Sequence, residues 1–412
     1  LLLLAPPVAA SDYTLGIFGN ANEDDTINMQ DVTYTELIIL EYRDKTELSD
    51  AKYDGKINMQ DVTQIELVIL GKEKEVTVSI HTRPSMGSTE ITERPVTISK
   101  PVERIVVGSG RGFMGVHYIG TLRALKLDKD RIAGVTEDVK DANAYFPEFS
   151  ELPCIGKKPM DYEAILNLHP DLMIVGTSSL EKHADKLPGV TVVAFDCWRP
   201  ETYVDELRRL GYILDKNDEA EEFIDFYSGV MDTIRETVDE IPEEDRPKVY
   251  FESRKPYSTG AKGSGYHAKV TMAGGNNIFG DLSGYPKVDP EEVIKRNPEI
   301  IIKYPPASGS NYHIGTDVTE LIDVRNEIMN RPELAEVEAV KNGKVNILTG
   351  DVIGATRHFV GIGYMAKWFH PELFEDFDPD AIHQEYITRF QGLPDDFLDE
   401  HGVFVYPPPE ES

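Results

Sequence analysis

The chain has 412 residues, with 42 Lys and Arg against 73 Asp and Glu, for a formal charge of −31 and a pI near 4.7. Its length calls for two or three domains, and its 40% apolar content is ample for globular cores. The charge argues against non-specific nucleic-acid binding, since it repels phosphate, and no segment past residue 10 approaches the ~20 apolar residues of a membrane span.

The first residues, LLLLAPPVAAS, are apolar and end in small side chains. This is similar to the tail of a secretory leader cleaved after Ala10, and predicts an exported, extracellular or surface-held protein. Cys154 and Cys197 are too few for a disulfide framework or a thiolate zinc site. A bridge between them and two separate buried thiols both remain open.

The segment INMQDVTYTELIIL (27–40) returns as INMQDVTQIELVIL (57–70), identical at eleven of fourteen positions, so a unit is duplicated. An oxygen-rich loop leads into each copy. Asn20, Asn22, Asp24, Thr26, Asn28 and Asp31 fall at positions 1, 3, 5, 7, 9 and 12 of the first. Asp50, Lys52, Asp54, Lys56, Asn58 and Asp61 do so in the second. This is calcium-loop spacing, with position 7 contributing its carbonyl. Lys52 puts a cation where a ligand belongs, which predicts a weaker second site, and Asp25 stands where the second loop has Gly55. The pattern resembles the dockerin repeat over about residues 14–72. That resemblance implies two calcium ions and docking onto a cohesin-like surface partner, with an intramolecular cap as the alternative.

A hydrophilic stretch, 73–93, is expected to link this module to the remainder. There, strand-like runs alternate with helical ones: RIVV (104–107), a helix at 162–169, DLMIVG (171–176) and VTVVAF (190–195). Phe223, Tyr227, Val230, Ile234, Val238 and Ile241 then recur at three- and four-residue steps, predicting one long amphipathic helix. The pattern restarts with KVYFES (248–253), a helix near 266–279, EIIIKY (299–304) and VNIL (345–348). The fold class is α/β: two Rossmann-like lobes joined by a long helix and preceded by a small all-α module. Boundaries follow at 11–72 for the module, 94–216 for the first lobe, 217–243 for the helix and 244–412 for the second lobe.

VVGSGRGFMG (106–115) looks like a nucleotide-phosphate loop, but the G-x-G-x-x-G register beginning at Gly108 meets Phe113 at its third glycine. The chain also lacks G-x-S-x-G, H-E-x-x-H and Walker motifs, and no enzymatic activity is expected. The phrases PVERIVV, DYEAILNLHPDLMIV, AGGNNIFGDL, VDPEEVIKRNPEIII and AVKNGKVNIL resemble the substrate-binding proteins of ABC importers for iron chelates, haem and cobalamin. The resemblance runs from about residue 94 to 395. It implies a monomer that captures an iron-siderophore-type chelate between two lobes and delivers it to an ABC permease. A cobalamin or haem binder of the same fold, or a surface enzyme or scaffold without cargo, is the alternative.

In open α/β lobes, ligands sit beyond the carboxyl ends of strands. Candidate cleft residues on such loops are Arg111, Phe113, Lys157, Lys158, Trp198 and Arg199 in the first lobe. The second lobe offers Arg254, Tyr257, Lys262, Tyr266, His267, Tyr304, Tyr312, His313, Arg357 and His358. Cations suit the oxyanions of a chelate and rings its organic part, while the histidines are candidates for direct metal ligation. Packing of Phe113 in the core remains open. Glu163 and Glu291 occupy matching helices in the two lobes. In the family such a pair docks onto the permease, and favourable placement at helix N-termini is the other reading.

Overall fold

The computed structural model describes residues 13–108, 114–156, 159–305 and 317–409, so the leader reading lies outside the described residues. In the front module, α1 (Met29–Ile39) and α2 (Met59–Ile69) start the same way. Asn28 and Asn58 cap them, and Asp31 and Asp61 close capping boxes by accepting the backbone N–H of each cap residue.

The stretch read as a hydrophilic link is structured. Its first half forms β1 (Glu75–Thr82), which pairs antiparallel with β2 (Thr92–Ser99) from Glu75↔Ser99 to Thr82↔Thr92. Val76, Val78 and Ile80 alternate with polar residues and are fully buried, so a period-two signal was present inside the charged flanks. Residues 13–72 carry only α1 and α2 as named elements, and the hairpin adds a two-stranded sheet behind them. Phe18 N donates to Thr77 O at 2.9 Å and Ser79 N to Gly16 O at 2.8 Å, joining the hairpin to the segment before the first oxygen-rich loop.

The first lobe carries β3 (Ile105–Val107), α3 (Gly115–Ala124), β4 (Ile132–Gly134), α4 (Glu137–Asp141), α5 (Tyr162–Asn167), β5 (Leu172–Val175), α6 (Leu180–Ala184), β6 (Thr191–Ala194) and α7 (Tyr203–Leu214). Its sheet is parallel, in the order β4-β3-β5-β6. The strands are three or four residues long and almost wholly buried, as befits a sheet covered on both faces. The module rests on this lobe: Arg209 of α7 pairs with Asp205 at 2.6 Å and donates to Ser79 O, and Tyr13 donates to Asp205.

The long helix α8 spans Asn217–Asp239, and the whole predicted apolar stripe, Phe223 through Ile241, is buried. Beyond it come β7 (Lys248–Glu252), α9 (Tyr266–Met272), β8 (Asn276–Asn277), α10 (Pro290–Arg296), β9 (Ile300–Lys303), β10 (Val345–Leu348) and β11 (Val405–Tyr406). The second sheet runs β11-β10-β9-β7-β8, parallel except at the β11 edge. The helix expected near 266–279 stops at Met272, because Gly274 turns the chain at φ +82°. No helix among the described residues is long and apolar enough to cross a membrane. Cys154 is exposed and Cys197 buried, and both thiols are free.

Candidate functional site

Between the lobes lies a small cavity of about 20 Å³, lined by Met86, Met114, His117, Trp198, Arg254, Tyr266, Tyr304 and Gly354. Space of this size admits about one water. Trp198 follows β6, Tyr266 opens α9, and Arg254 and Tyr304 follow β7 and β9, so four predicted residues converge from the carboxyl ends of strands in both lobes. Their rings interlock: Trp198 and Tyr266 centroids are 5.7 Å apart, as are those of Tyr266 and Tyr304. Arg254 donates through Nε and Nη2 to Tyr304 Oη at 3.2 and 2.7 Å. Gly265 makes the contact between lobes tight, because a Cβ there would lie 2.8 Å from the Trp198 ring.

The cavity holds hydrogen-bonding capacity without a protein partner. Both ring nitrogens of His117 and Nε1 of Trp198 are buried and unbonded. Burial, reinforced by the charges of Lys269 and Arg254, lowers the His117 pKa to about 3, so the imidazole is neutral. Lys269, fully buried on α9, lies 4.7 Å from the Trp198 ring centroid and donates to Ile353 O at 2.5 Å. Burial holds its pKa well below the usual lysine value, only partly offset by the charge of Glu201. Buried donors of this kind are costly until they meet an acceptor.

Met86, Met114, His117 and Lys269 were missed. His117 and Lys269 lie within helices that carry other polar residues, so nothing in their spacing singles them out. Met86 lies in the supposed linker.

The other predictions are redistributed. Arg199 is buried and committed: Nε pairs with Asp196 at 2.8 Å, Nη1 donates to Gly263 O at 3.1 Å and Nη2 donates to Met86 O. Arg357 is a core residue of the second lobe, held by Asp351 at 3.1 Å and His383 at 3.0 Å. His358 bonds Tyr227 of α8 at 3.1 Å and Ala355 O at 3.1 Å, inside the packing between long helix and second lobe. Tyr257 points away from the cleft, donating to Glu333 at 2.5 Å under the Arg331 guanidinium. His267 is on the opposite side of α9, in an open groove of about 760 Å³ with Arg246, Lys248 and Arg296. Arg199, Arg357, His358 and Tyr257 are each consumed by a nearby carboxylate, carbonyl, ring or hydroxyl, which sequence spacing does not reveal. Arg111, Phe113, Lys157, Lys158, Tyr312 and His313 lie outside the described residues.

Glu163 and Glu291 are exposed in the first turns of α5 and α10, behind the caps Asp161 and Asp289, and precede β5 and β9. The two lobes thus present equivalent carboxylates.

In the front loops, Asp31 accepts from Asn22 N at 3.2 Å and Asn28 N at 2.8 Å, and Asp61 from Lys52 N at 3.0 Å and Asn58 N at 2.8 Å. Both carboxylates are buried, and desolvation raises their pKa values. Asn20 Oδ1 is buried without a partner. Lys52 turns outward, its Nζ 3.7 Å from Glu75. The donor set is the hard oxygen set that calcium takes, and the two buried aspartates would gain from a cation. Among the described residues no three acidic, imidazole or thiolate groups converge on one point.

A family model described as periplasmic binding protein matches residues 117–352, more than half of the chain. An uncharacterized ABC transporter substrate-binding lipoprotein, YvrC, of Bacillus subtilis is 21% identical over 258 residues, 60% of this chain and 76% of its own. A vitamin B12-binding protein of Salmonella paratyphi A is 27% identical over 177 residues, covering 41% of this chain and 65% of the relative. The crystal structure of the TroA-like periplasmic binding protein FepB from Veillonella parvula superimposes with a TM-score of 0.60 at 23% identity, over 76% of this chain and 96% of that one. Two α/β lobes, a single joining helix and a cleft between strand ends are what that fold comprises here, and the chain belongs to the periplasmic binding protein family.

Proposed function

We propose that this chain is an extracytoplasmic, non-enzymatic substrate-binding protein that captures an anionic metal complex between its lobes and passes it to an ABC permease. The observation that carries this reading is the cavity wall: three aromatic rings, Arg254 and the buried, unbonded nitrogens of His117 and Trp198, with no carboxylate among the described residues that line it. Such a wall suits a ligand with a flat or apolar organic part and peripheral oxyanions. Relatives named for ABC transport and for vitamin B12 support a metal-complex cargo, and a ferric chelate and a corrinoid fit the wall equally. Glu163 and Glu291 are the permease-facing pair in this reading.

Trp198 fluorescence in a Trp368→Phe background is the direct test, titrated with ferric siderophores, cobalamin and haem. Saturable quenching by one class, weakened by Arg254→Gln, is expected. Stoichiometric binding by none of them would remove the cargo assignment. Joint charge reversal at Glu163 and Glu291 should abolish uptake with cargo binding intact, and undiminished uptake would remove the docking role.

The front loops are proposed as calcium sites, Asn20, Asn22, Asp24, Thr26, Asn28 and Asp31 holding the first ion, and Asp50, Asp54, Lys56 through its carbonyl, Asn58 and Asp61 the second. A cohesin-like surface partner is the docking target the repeat suggests. Calorimetry with calcium showing neither heat nor a rise in melting temperature would end the metal assignment.

A further inference from the structure

We infer that the tip of the β1–β2 hairpin is a lid that closes the cleft, with Met86 a cargo-side residue supplied from outside both lobes. The inference rests on the cleft being the cargo site. Three observations carry it. Met86 lines the cavity together with residues of both lobes. The tip lies against the second lobe so closely that a Cβ on Gly87 would sit 2.7 Å from Gly284 Cα, and one on Gly263 would sit 2.8 Å from Gly87 O. Third, two arginines sharing one carboxylate latch the tip: Arg199 holds Met86 O and Gly263 O while paired with Asp196. Arg83, at the base of the tip, donates to Ser88 O at 3.0 Å and approaches Asp196 at 3.8 Å.

Arg199 therefore ties three parts of the chain together, hairpin, first lobe and second lobe, at a single guanidinium. A cavity of about 20 Å³ cannot take a metal complex until something withdraws. The lobes are braced by α8, whereas the tip is a short loop held by a few polar contacts. Withdrawal of the tip removes Met86 from the cavity and uncovers the wall it shares with Trp198.

The test uses the full-length chain carrying Trp368→Phe, so that Trp198 is the sole tryptophan. Gly87→Val places a side chain against Gly284 and should push the tip away, whereas Met86→Ala leaves the latch intact and only empties the plug. Acrylamide quenching of Trp198 should rise at least threefold in Gly87→Val and by less than half as much in Met86→Ala. Unchanged quenching in a folded Gly87→Val variant overturns the lid. With cobalamin and a ferric siderophore as probes, association should be at least fivefold faster in Gly87→Val; binding at an unaltered rate also overturns it. If neither probe binds either chain, the cargo reading falls, and the quenching measurement still decides the lid.

Discussion

The front loops and the interlobe cleft, the two proposed binding regions, are assembled in opposite ways. Each loop draws its oxygens from twelve consecutive residues, and Asn28 and Asn58 set the geometry by capping the helix that follows. The cleft draws its wall from the hairpin tip, α3, the segments after β6, β7 and β9, and α9, residues as far apart as Met86 and Gly354. Local construction leaves a spacing in the sequence. Distributed construction leaves only residue types, and the same arginine serves as wall, latch or core according to what stands beside it.

Three arginines of the cleft list, Arg199, Arg254 and Arg357, show this, and replacing Arg357 and Arg254 separates core from wall. Arg357→Ala strands Asp351 and His383 in the second lobe and should cost about 3–5 kcal/mol of stability. Urea unfolding checks it, and a loss below about 1 kcal/mol would return Arg357 to the candidate wall. On the loop side, calcium at a hundredfold over its Kd should stabilise the chain by about 2.7 kcal/mol per site. Calorimetry should further show Lys52→Asn tightening the second site selectively. Equal affinities for parent and variant would contradict the assignment of Lys52 to a ligand position. Arg254→Gln should weaken cargo binding about tenfold to a hundredfold, since charge-assisted bonds contribute about 1.5–3 kcal/mol, while leaving the melting temperature nearly unchanged. A large fall in melting temperature with unaltered affinity would make Arg254 a structural residue like Arg357.

The smallest effect concerns pH. The His117 pKa in the fold, about 3, lies below its ordinary value of 6.5, so the native state favours the neutral ring. Its contribution is complete above pH 6.5 and is lost as pH falls from 6.5 towards 3, at about 1.4 kcal/mol per pH unit. Denaturation curves at pH 7, 6 and 5 should fall less steeply for His117→Gln than for the parent. Parallel slopes would mean that the ring is protonated or hydrated in the fold.

Much of the architecture was legible. Six strand cores and the long helix follow from apolar runs and a three- to four-residue period, because burial on both faces of a sheet, or on one stripe of a helix, requires those patterns. The hairpin was hidden because only Val76, Val78 and Ile80 signal it between charged flanks, and β8 and β11 are too short to show a period at all. At the site, Trp198, Arg254, Tyr266 and Tyr304 were legible from their place after strands, whereas His117, Lys269 and Met86 were not.

By itself the amino-acid sequence determined the two-lobe order, the duplicated oxygen loops and the stiff helix between lobes, all of which arise from short-range spacing. Only the tertiary structure decided which polar side chains face the cleft. That choice depends on which partner the fold brings to each one: Asp196 claims Arg199, Asp351 claims Arg357 and the Tyr227 hydroxyl claims His358, while the His117 ring nitrogens and the Trp198 indole N–H stay unbonded.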